Sequence, residues 1–277
     1  MAKLTLSETL RVEYQRLFDG CQINETRAAA VEKLVGALSR NRTRYGAAAA
    51  PLAIPWYVVA AIHNMECSQN FAQHLHNGDP LTARTTHVPA GRPVDGTAPF
   101  TWEQSAADAL RLKRLDQWHD WTIPGILYQL EGYNGWGYRL YHPETQSPYL
   151  WSYSTVYRSG KYTADGTWSN SAVSNQCGAA TLLRRLAERG ELDAQPHTPD
   201  VDLAKALDGR AALFRYAPST VAPGGIELQR FLNQFPGIYL KQDGKLGKKT
   251  SAAYKKIFGR YLLGDTRSGQ SRVADKQ

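Results

Sequence analysis

Apolar residues recur every three or four positions along most of this chain, which is the spacing that places them on one face of a helix. The pattern predicts six helices in the first 190 residues, over about 6–18, 24–38, 54–68, 101–121, 124–131 and 176–189. Apolar runs with the strict alternation of a half-buried strand are rare in the same region. The chain is therefore predicted to be mainly α.

Local signals mark the ends of some of these helices. Asn24 is placed to cap the second helix. Thr101 and Gln104 have the spacing of a capping box, in which each side chain bonds the backbone of the other residue. Gly132 is expected to end the helix that precedes it. Between Asn77 and Gly96, turn-forming Gly and Pro residues mix with β-branched ones, which predicts a loop with a short β-hairpin.

The last part of the chain carries a separate pattern. Two apolar stripes at helical spacing, over 227–235 and 249–261, indicate a pair of short helices. Asp243-Gly244 supplies a turn between them, and Thr250 is placed to cap the second helix. The predicted divisions are a main domain (1–190), a proline-rich connector with a short helix near 201–207 (191–223), a small helical module (224–265) and a polar, disordered tail (266–277).

Composition limits the functional classes. The chain has 277 residues, 42% of them hydrophobic, which allows one large and one small domain with ordinary cores. Its net charge of +8 favours a polyanionic partner, such as nucleic acid, anionic lipid or an acidic cell-wall polymer, but no nucleic-acid-binding signature supports the first. Cys21, Cys67 and Cys177 are too scattered for a disulfide framework or a Cys-x-x-Cys metal site. No stretch has the roughly 18 apolar residues of a membrane span.

One acidic residue stands at the end of an apolar helical run. Between Ile54 and Ser68, helical spacing puts Glu66 on the same face as Val59 and Ile62. Partial removal from water raises the pKa of a carboxyl group, which suits a group that must hold a proton near neutral pH. Glu66 is therefore a candidate general acid, although a structural glutamate bonded to a backbone amide would show the same pattern.

The stretch from residue 128 to residue 168 is rich in aromatic side chains, and none of them is Phe. The eleven residues are Tyr128, Tyr133, Trp136, Tyr138, Tyr141, Tyr149, Trp151, Tyr153, Tyr157, Tyr162 and Trp168. A groove that stacks on sugar rings and bonds their hydroxyls uses aromatic rings with a polar edge. The set predicts a carbohydrate ligand, with an irregular aromatic core as the alternative.

Two short motifs in the main domain resemble a known superfamily. The segments 63–68, His-Asn-Met-Glu-Cys-Ser, and 131–135, Glu-Gly-Tyr-Asn-Gly, resemble motifs of the lysozyme superfamily, in particular its goose-type and soluble lytic transglycosylase branches. The resemblance covers roughly residues 40–190 and implies an α+β lysozyme-like catalytic domain with Glu66 as its acid. The candidate substrate-binding residues are Tyr133, Asn134, Trp136, Thr82 and His63. The second motif departs from the Ala-Tyr-Asn of those branches, and the Gly-Leu-Met-Gln segment found between the two motifs there is absent.

The small module is similar to a helical peptidoglycan-binding repeat. It has the three parts of that family: a helix containing Leu228-Gln229, an Asp-Gly-x-x-Gly turn that begins at Asp243, and a helix that begins near Thr250. Both resemblances imply the same partner, bacterial peptidoglycan, and neither implies a cofactor or a metal.

The lysozyme resemblance implies cleavage of the β-1,4 bond between N-acetylmuramic acid and N-acetylglucosamine. Asp79, the first acidic residue after Glu66, is the candidate to orient the attacking water, and Asp95 is the reserve. Other side chains that could hold this water are Thr82, Thr85 and Thr86. In the alternative, a lytic transglycosylase, Glu66 acts alone as acid and then base, and groups of the substrate replace water.

Two other function classes fit parts of the sequence. His63, Glu66, His74 and His76 could bind zinc in a wall amidase or peptidase, but their spacing matches no known metal motif. His63 is better explained as a neighbour of Glu66 whose protonation would lower the pKa of that carboxyl. The third class is a wall-binding protein without catalysis.

The expected partner in every case is peptidoglycan, without nucleic acid and without stable membrane insertion. The first residues lack the continuous apolar segment of a secretory signal. The protein is therefore expected to be made in the cytoplasm and to reach the wall or periplasm by release, as a phage endolysin leaves through a holin, or by a secretion machine.

Overall fold

The computed structural model describes residues 4–194, 214–233, 235 and 238–268. The chain divides into two compact units, one over Met1–Ala194 and the other over Gln195–Gln277. Helices dominate the described part of both units, and the only sheet there is a two-stranded antiparallel one. The predicted mainly α class is thus confirmed at this level.

The first unit is built from nine α-helices and one hairpin in its described residues. The helices are α1 Glu8–Gly20, α2 Ala28–Arg40, α3 Arg42–Ala49, α4 Trp56–Cys67, α5 Trp102–Leu112, α6 Ile123–Asn134, α7 Gly137–Tyr141, α8 Pro148–Trp151 and α9 Ala179–Arg189. The strands are β1 Lys161–Ala164 and β2 Thr167–Ser169, which pair Lys161 with Ser169 and Tyr162 with Trp168. Short 3-10 turns lie at Glu25–Arg27, Ala50–Leu52 and Leu115–Gln117.

Polar side chains start three of these helices. Ser7 accepts the backbone N–H of Leu10 at the start of α1, and Thr122 accepts that of Gly125 at the start of α6. The capping box predicted at Thr101 is confirmed, since both of its hydrogen bonds are present. Each cap satisfies backbone donors that the first helical turn leaves unpaired.

Helix α4 lies at the centre of the first unit and packs against α3, α6 and α9. Every residue from Tyr57 to Met65 is buried. A helix that is apolar on all sides is stable only inside a core, so α4 is the element around which the others are arranged.

Four local predictions for the first unit are wrong. The loop 77–96 contains no strand, and the hairpin lies at 161–169 instead, because side chains rather than a partner strand bond the backbone amides of Thr86 and His87. Helix α5 ends at Leu112, not near residue 121. Asn24 makes no side-chain cap and precedes a 3-10 turn. Helix α6 continues past Gly132 to Asn134.

Gly132 is needed for packing rather than for ending the helix. A Cβ at this position would lie 2.9 Å from Cζ2 of Trp136, which is closer than side-chain atoms approach. The glycine therefore lets the Trp136 ring fold back onto α6, where it also contacts Tyr128.

The second unit contains helices α10 Gly225–Leu232 and α11 Lys248–Phe258 in its described residues. Its core is formed by Leu228, Phe231, Leu232, Ile238, Leu240, Leu246, Ala253, Tyr254 and Leu262. The amide side chain of Gln229 fastens the turn between the helices: Nε2 donates to Lys245 O at 3.1 Å, and Oε1 accepts from Gly244 N at 2.7 Å. This buried amide explains why a glutamine follows leucine at that point of the apolar helix.

The boundaries predicted for the small module are too narrow. Phe214 and Tyr216 pack on its core, and isolated bridges pair Arg215 with Leu263 and Ala217 with Leu246. The end of the predicted connector is therefore part of the module. Residues 266–268, assigned to the tail, form a 3-10 turn. The short helix predicted near 201–207 lies outside the described residues, as do the rest of 195–213 and 269–277. Gly247, not Thr250, is the N-cap residue of α11.

Across the described residues, no single helix is long and apolar enough to cross a membrane. The segments Arg42–Leu52 and Trp56–Cys67 reach the necessary length and apolar composition only when taken together, and the chain bends by 112° between them.

Candidate functional site

The last turn of α4 places one carboxyl group at the surface. Ser68 and Gln69, which follow the helix, both adopt left-handed backbone conformations, with φ of 48° and 64°. Such conformations cost residues other than glycine of the order of 1–3 kcal/mol each and persist where surrounding contacts enforce them. Here Gln69 donates to Asn64 Oδ1 at 2.9 Å. The chain turns away sharply, so that Glu66 is exposed at the end of a buried helix.

Glu66 accepts a hydrogen bond from a tyrosine that is distant in the sequence. The Tyr149 hydroxyl, carried by α8, donates to Oε1 of Glu66 at 2.9 Å. The neighbouring Met65 carbonyl accepts from Nε2 of Gln176 at 2.7 Å, which braces the same helix end. The position of the carboxyl group is thus fixed from two other parts of the unit.

The electrostatics of Glu66 favour its protonated form. Burial raises the pKa of Glu66 above its ordinary value, while the Tyr149 hydrogen bond and the charge of Lys113 lower it. The side chain is exposed, yet its partial removal from water is still the largest influence on its pKa. Glu66 makes no ion pair with any described residue. Removal from water, rather than a neighbouring carboxylate, is therefore what raises the pKa of Glu66.

Two more residues, Tyr133 and Lys113, interact electrostatically with Glu66. Tyr133, on α6, has its pKa raised by burial and by the charge of Glu66, as does Tyr149. Both tyrosines therefore stay protonated and remain hydrogen-bond donors. Nζ of Lys113, just after α5, lies 4.5 Å from the centre of the Tyr133 ring. We refer to Glu66, Lys113, Tyr133 and Tyr149 as the Glu66 cluster.

Asp79 organises the loop after α4. Its Oδ2 accepts from Asn77 Nδ2 at 3.1 Å, from Thr86 N at 2.7 Å and from His87 N at 3.0 Å, and its Oδ1 bonds His87 Nδ1 at 2.5 Å. These hydrogen bonds, those from His87 foremost, lower the pKa of Asp79, which is therefore a carboxylate. It is covered by its own loop rather than by the protein interior. No hydrogen bond links it to the described residues of the Glu66 cluster.

The other candidates for holding water differ in their surroundings. Asp95 and Thr82 are exposed. Thr85 is buried and bonds its own loop, donating to Pro89 O and accepting from Arg92 N. Thr86 contacts Asp79 through its backbone and its hydroxyl.

His63 is not available to a substrate in this structure, which corrects its assignment as a binding residue. Its side chain has no exposed surface and packs against Tyr45, Phe71 and Trp102. Burial lowers the pKa of His63 to about 4, so the imidazole is neutral near pH 7. The residue supports α4 from behind and places no positive charge beside Glu66.

The predicted aromatic groove is only partly assembled. Among the substrate-binding candidates, Asn134 is exposed at the end of α6, Tyr133 is half-buried, and Trp136 is almost fully buried against Tyr128. Several other aromatic residues pack among themselves, as in the hairpin, where Trp168 stacks on His142 with ring centres 3.5 Å apart. Tyr133 and Tyr149 are the members of the set that belong to the Glu66 cluster.

The histidines considered for zinc have other partners. His74 bonds Ser105 Oγ at 2.8 Å and Ala83 O at 2.8 Å, and His76 bonds Asp108 Oδ2 at 2.8 Å. These contacts attach the loop after α4 to α5. Within the described ranges, no three His, Cys, Asp or Glu side chains come together in an arrangement that could hold a metal ion.

The sequence analysis missed the roles of two residues in the cluster. Tyr149 was one of eleven aromatic residues with nothing to distinguish it, and it lies 83 positions from Glu66. Lys113 ends an amphipathic helix, where a basic residue is expected for helix stability alone. Neither residue has a local sequence signal that connects it with Glu66.

Comparison with known proteins assigns the chain to no family: no protein-family model matches it, and neither a curated protein nor a solved structure does.

Proposed function

We propose that the protein is a peptidoglycan glycosidase of the muramidase type, which cleaves the β-1,4 bond between N-acetylmuramic acid and N-acetylglucosamine with Glu66 as general acid. One observation carries the proposal: Glu66 is the exposed end of a buried helix, and a tyrosine rather than a cation bonds it within the described residues. A general acid needs this combination of access to the substrate and a raised pKa.

The hydrogen bond from Tyr149 supports a different role for each carboxyl oxygen. Oε1 of Glu66 accepts the Tyr149 hydrogen bond, which leaves Oε2 to carry the proton. Transfer of that proton to the glycosidic oxygen leaves a carboxylate. The Tyr149 hydroxyl stabilises this carboxylate, because its hydrogen bond lowers the pKa of Glu66. Tyr133 and Asn134 are the proposed sugar-binding residues beside it.

The attacking water needs an acceptor on the other face of the sugar. Asp79 remains the proposed residue for this role, with Asp95 in reserve. To orient a water molecule, Asp79 would exchange one of its loop hydrogen bonds for that water. Such an exchange is feasible because the side chain of His87, which bonds Oδ1, is largely exposed.

The occupied state of Asp79 favours a second candidate, a lytic transglycosylase. Both of its carboxylate oxygens already accept hydrogen bonds from the loop. Without a carboxylate to activate water, Glu66 would act as acid and then as base, and the 6-hydroxyl of the muramoyl residue would attack in place of water. The product would then be a 1,6-anhydro sugar.

For the second unit we propose binding to the same wall polymer. Over residues 214–268 it carries ten Lys and Arg against three Asp and Glu. Four lysines of α11, at positions 248, 249, 255 and 256, lie on the side of the helix away from its buried residues. A surface of this kind attracts anionic polymers and would hold the enzyme on its substrate.

Digestion of purified peptidoglycan, with mass analysis of the fragments, tests the proposal. The activity of Glu66→Gln is expected to be at least about 100-fold lower than that of the wild type, which is the usual contribution of a general acid. Its circular dichroism should stay that of the native protein. Glu144→Gln, which alters a glutamate that is 68% exposed, is the matched control and should retain activity. Wild-type turnover by Glu66→Gln would rule out the acid assignment.

The same digestion separates the remaining alternatives. Reducing ends in the products indicate hydrolysis, and 1,6-anhydro ends indicate transglycosylation. Asp79→Asn should abolish hydrolysis if Asp79 orients the water, and should leave transglycosylation largely intact. Binding of the wild-type protein to sacculi without release of fragments would identify it as a wall-binding protein instead.

A further inference from the structure

The positive charge beside the proposed acid is unexpected. Lys113 is the residue after α5, and its own N–H still bonds Ala109 O at 3.1 Å, so its backbone is fixed. Its Nζ lies 4.5 Å from the centre of the Tyr133 ring, a cation–π contact that holds the side chain towards the Glu66 cluster. The residue is exposed to solvent.

Lys113 differs from several basic residues of the first unit in having no acidic partner among the described residues. Arg11 pairs with Asp120, Arg44 with Glu103 and Arg185 with Glu32. Instead, the ammonium group of Lys113 faces an aromatic ring and acts on Glu66 only through space. A cation that has no acidic partner among the described residues is suited to bind an anionic group of a ligand.

This charge opposes the proposed chemistry while the site is empty. A general acid must be protonated, and Lys113 favours the ionised form of Glu66. A negative group bound at Lys113 would cancel that effect. Burial would then raise the pKa of Glu66 without opposition from Lys113. The cation is therefore compatible with catalysis when the substrate brings its own negative charge.

We infer that Lys113 is a specificity residue that binds a carboxylate of the glycan substrate, so that the site prefers acidic peptidoglycan to neutral chitin-like chains. The inference rests on the proposed function. Two carboxylates have the required chemistry: the lactyl group of a muramoyl residue without its peptide, and the acidic residues of an attached stem peptide. Both would form a charge-assisted hydrogen bond with Nζ.

The first test compares substrates that differ only in charge. Peptide-bearing glycan, glycan stripped of its peptides, and both after conversion of carboxylates to methylamides are digested by the wild type, Lys113→Met and Lys113→Arg. We expect Lys113→Met to raise KM about tenfold on the charged glycans and to change it little on the blocked ones. Lys113→Arg should retain most of the wild-type preference for charged over blocked glycans. The stripped and peptide-bearing arms show which carboxylate is recognised.

Arg111→Gln is the matched control, because Arg111 is also an exposed cation and lies in the last turn of α5. It should leave KM on every substrate within about twofold, whereas a comparable rise would mean that only the overall charge of this surface matters. An equal loss for Lys113→Met on charged and blocked glycans, or no loss on either, would overturn the inference and leave the muramidase proposal intact.

Binding measurements separate this inference from the proposed function. Calorimetry with Glu66→Gln and with the Glu66→Gln/Lys113→Met double variant gives the affinity for stripped and methylamide-blocked glycan fragments without cleavage. If the double variant binds the charged fragments about tenfold more weakly and the blocked fragments equally well, recognition by Lys113 is supported. This holds even if the wild type cleaves nothing, and that absence of cleavage would contradict the muramidase proposal alone. Equal affinities of the two proteins for the charged fragments would overturn the role of Lys113.

Discussion

Two glutamates of the first unit each accept a hydrogen bond from a tyrosine, yet their surroundings differ. Glu131 is 3% exposed, and its Oε2 accepts both the Tyr14 hydroxyl and Nε of Arg139, the latter at 2.7 Å. Glu66 is exposed, accepts the Tyr149 hydroxyl and has no bonded cation among the described residues.

The difference separates a structural carboxyl from a candidate catalytic one. Burial raises the pKa of both groups, and the charge of Arg139 opposes this effect at Glu131. A buried ion pair cannot exchange a proton with a substrate that does not reach it. Exposure without a bonded cation among the described residues, rather than burial alone, is therefore what makes Glu66 suitable for proton transfer.

Replacing the buried glutamate gives the largest effect on stability. Glu131→Gln removes the buried partner of the Arg139 guanidinium and leaves it only the part-exposed Glu13, so the free energy of unfolding should fall by about 3 kcal/mol. Urea denaturation measures this loss. The activity per folded molecule should remain near that of the wild type, because Glu131 does not reach the surface.

Glu13→Gln is the control for this prediction, because Glu13 bonds the same Arg139 at 3.1 Å from a position that is 31% exposed. Its cost should be about 1 kcal/mol or less, as is usual for solvent-exposed pairs. A stable but inactive Glu131→Gln would reverse the comparison, since Glu131 would then be the functional carboxyl.

A smaller effect is expected from the tyrosine bonded to Glu66. Tyr149→Phe removes a donor that lowers the pKa of Glu66, so the pKa should rise and the alkaline limb of the pH–activity profile should move to higher pH. The maximal rate should fall about tenfold, because the carboxylate formed on proton transfer loses its hydrogen bond. Rate profiles from pH 4 to 9 measure both changes.

Tyr141→Phe is the control, since Tyr141 is 71% exposed. An alkaline limb that stays in place in Tyr149→Phe, or moves to lower pH, would mean that Tyr149 does not set the protonation of Glu66.

Patterns that depend on neighbouring residues could be predicted from the sequence. Helix α4 follows from its continuous apolar run, and the start of α5 follows from the Thr101 capping box. The hairpin was misplaced because the Asp79 side chain bonds the amides that a partner strand would otherwise bond. A loop held by side chains and a β-hairpin contain the same turn-forming and β-branched residue types, so composition does not distinguish them.

Two members of the Glu66 cluster, Glu66 and Tyr133, were candidates from the sequence, and the other two were not. Glu66 has a local signal, the end of an apolar helix, whereas Tyr149 and Lys113 approach it only through tertiary packing, in which α8 packs against α6 and α9, and α5 packs against α3. Glu131 lies in a motif that resembles a sugar-binding one, and the sequence gives no indication that Arg139 and Tyr14 enclose it. Tertiary contacts, not residue types, distinguish the two glutamates.

The smallest predicted effect is a change in how stability depends on pH. A carboxyl whose pKa is raised by folding binds its proton more tightly in the native state, so ionisation costs stability as pH rises from its ordinary pKa of 4.5 through the raised value. Glu66→Gln cannot ionise. The wild type should match the variant near pH 4 and become less stable than it by pH 8, by under about 1 kcal/mol because solvent screens the exposed group. Urea midpoints across this range measure the difference, and Glu144→Gln should show none. If the wild type instead gained stability over the variant with rising pH, the Glu66 carboxylate would be the form that folding favours, and folding would lower the pKa of Glu66 instead of raising it.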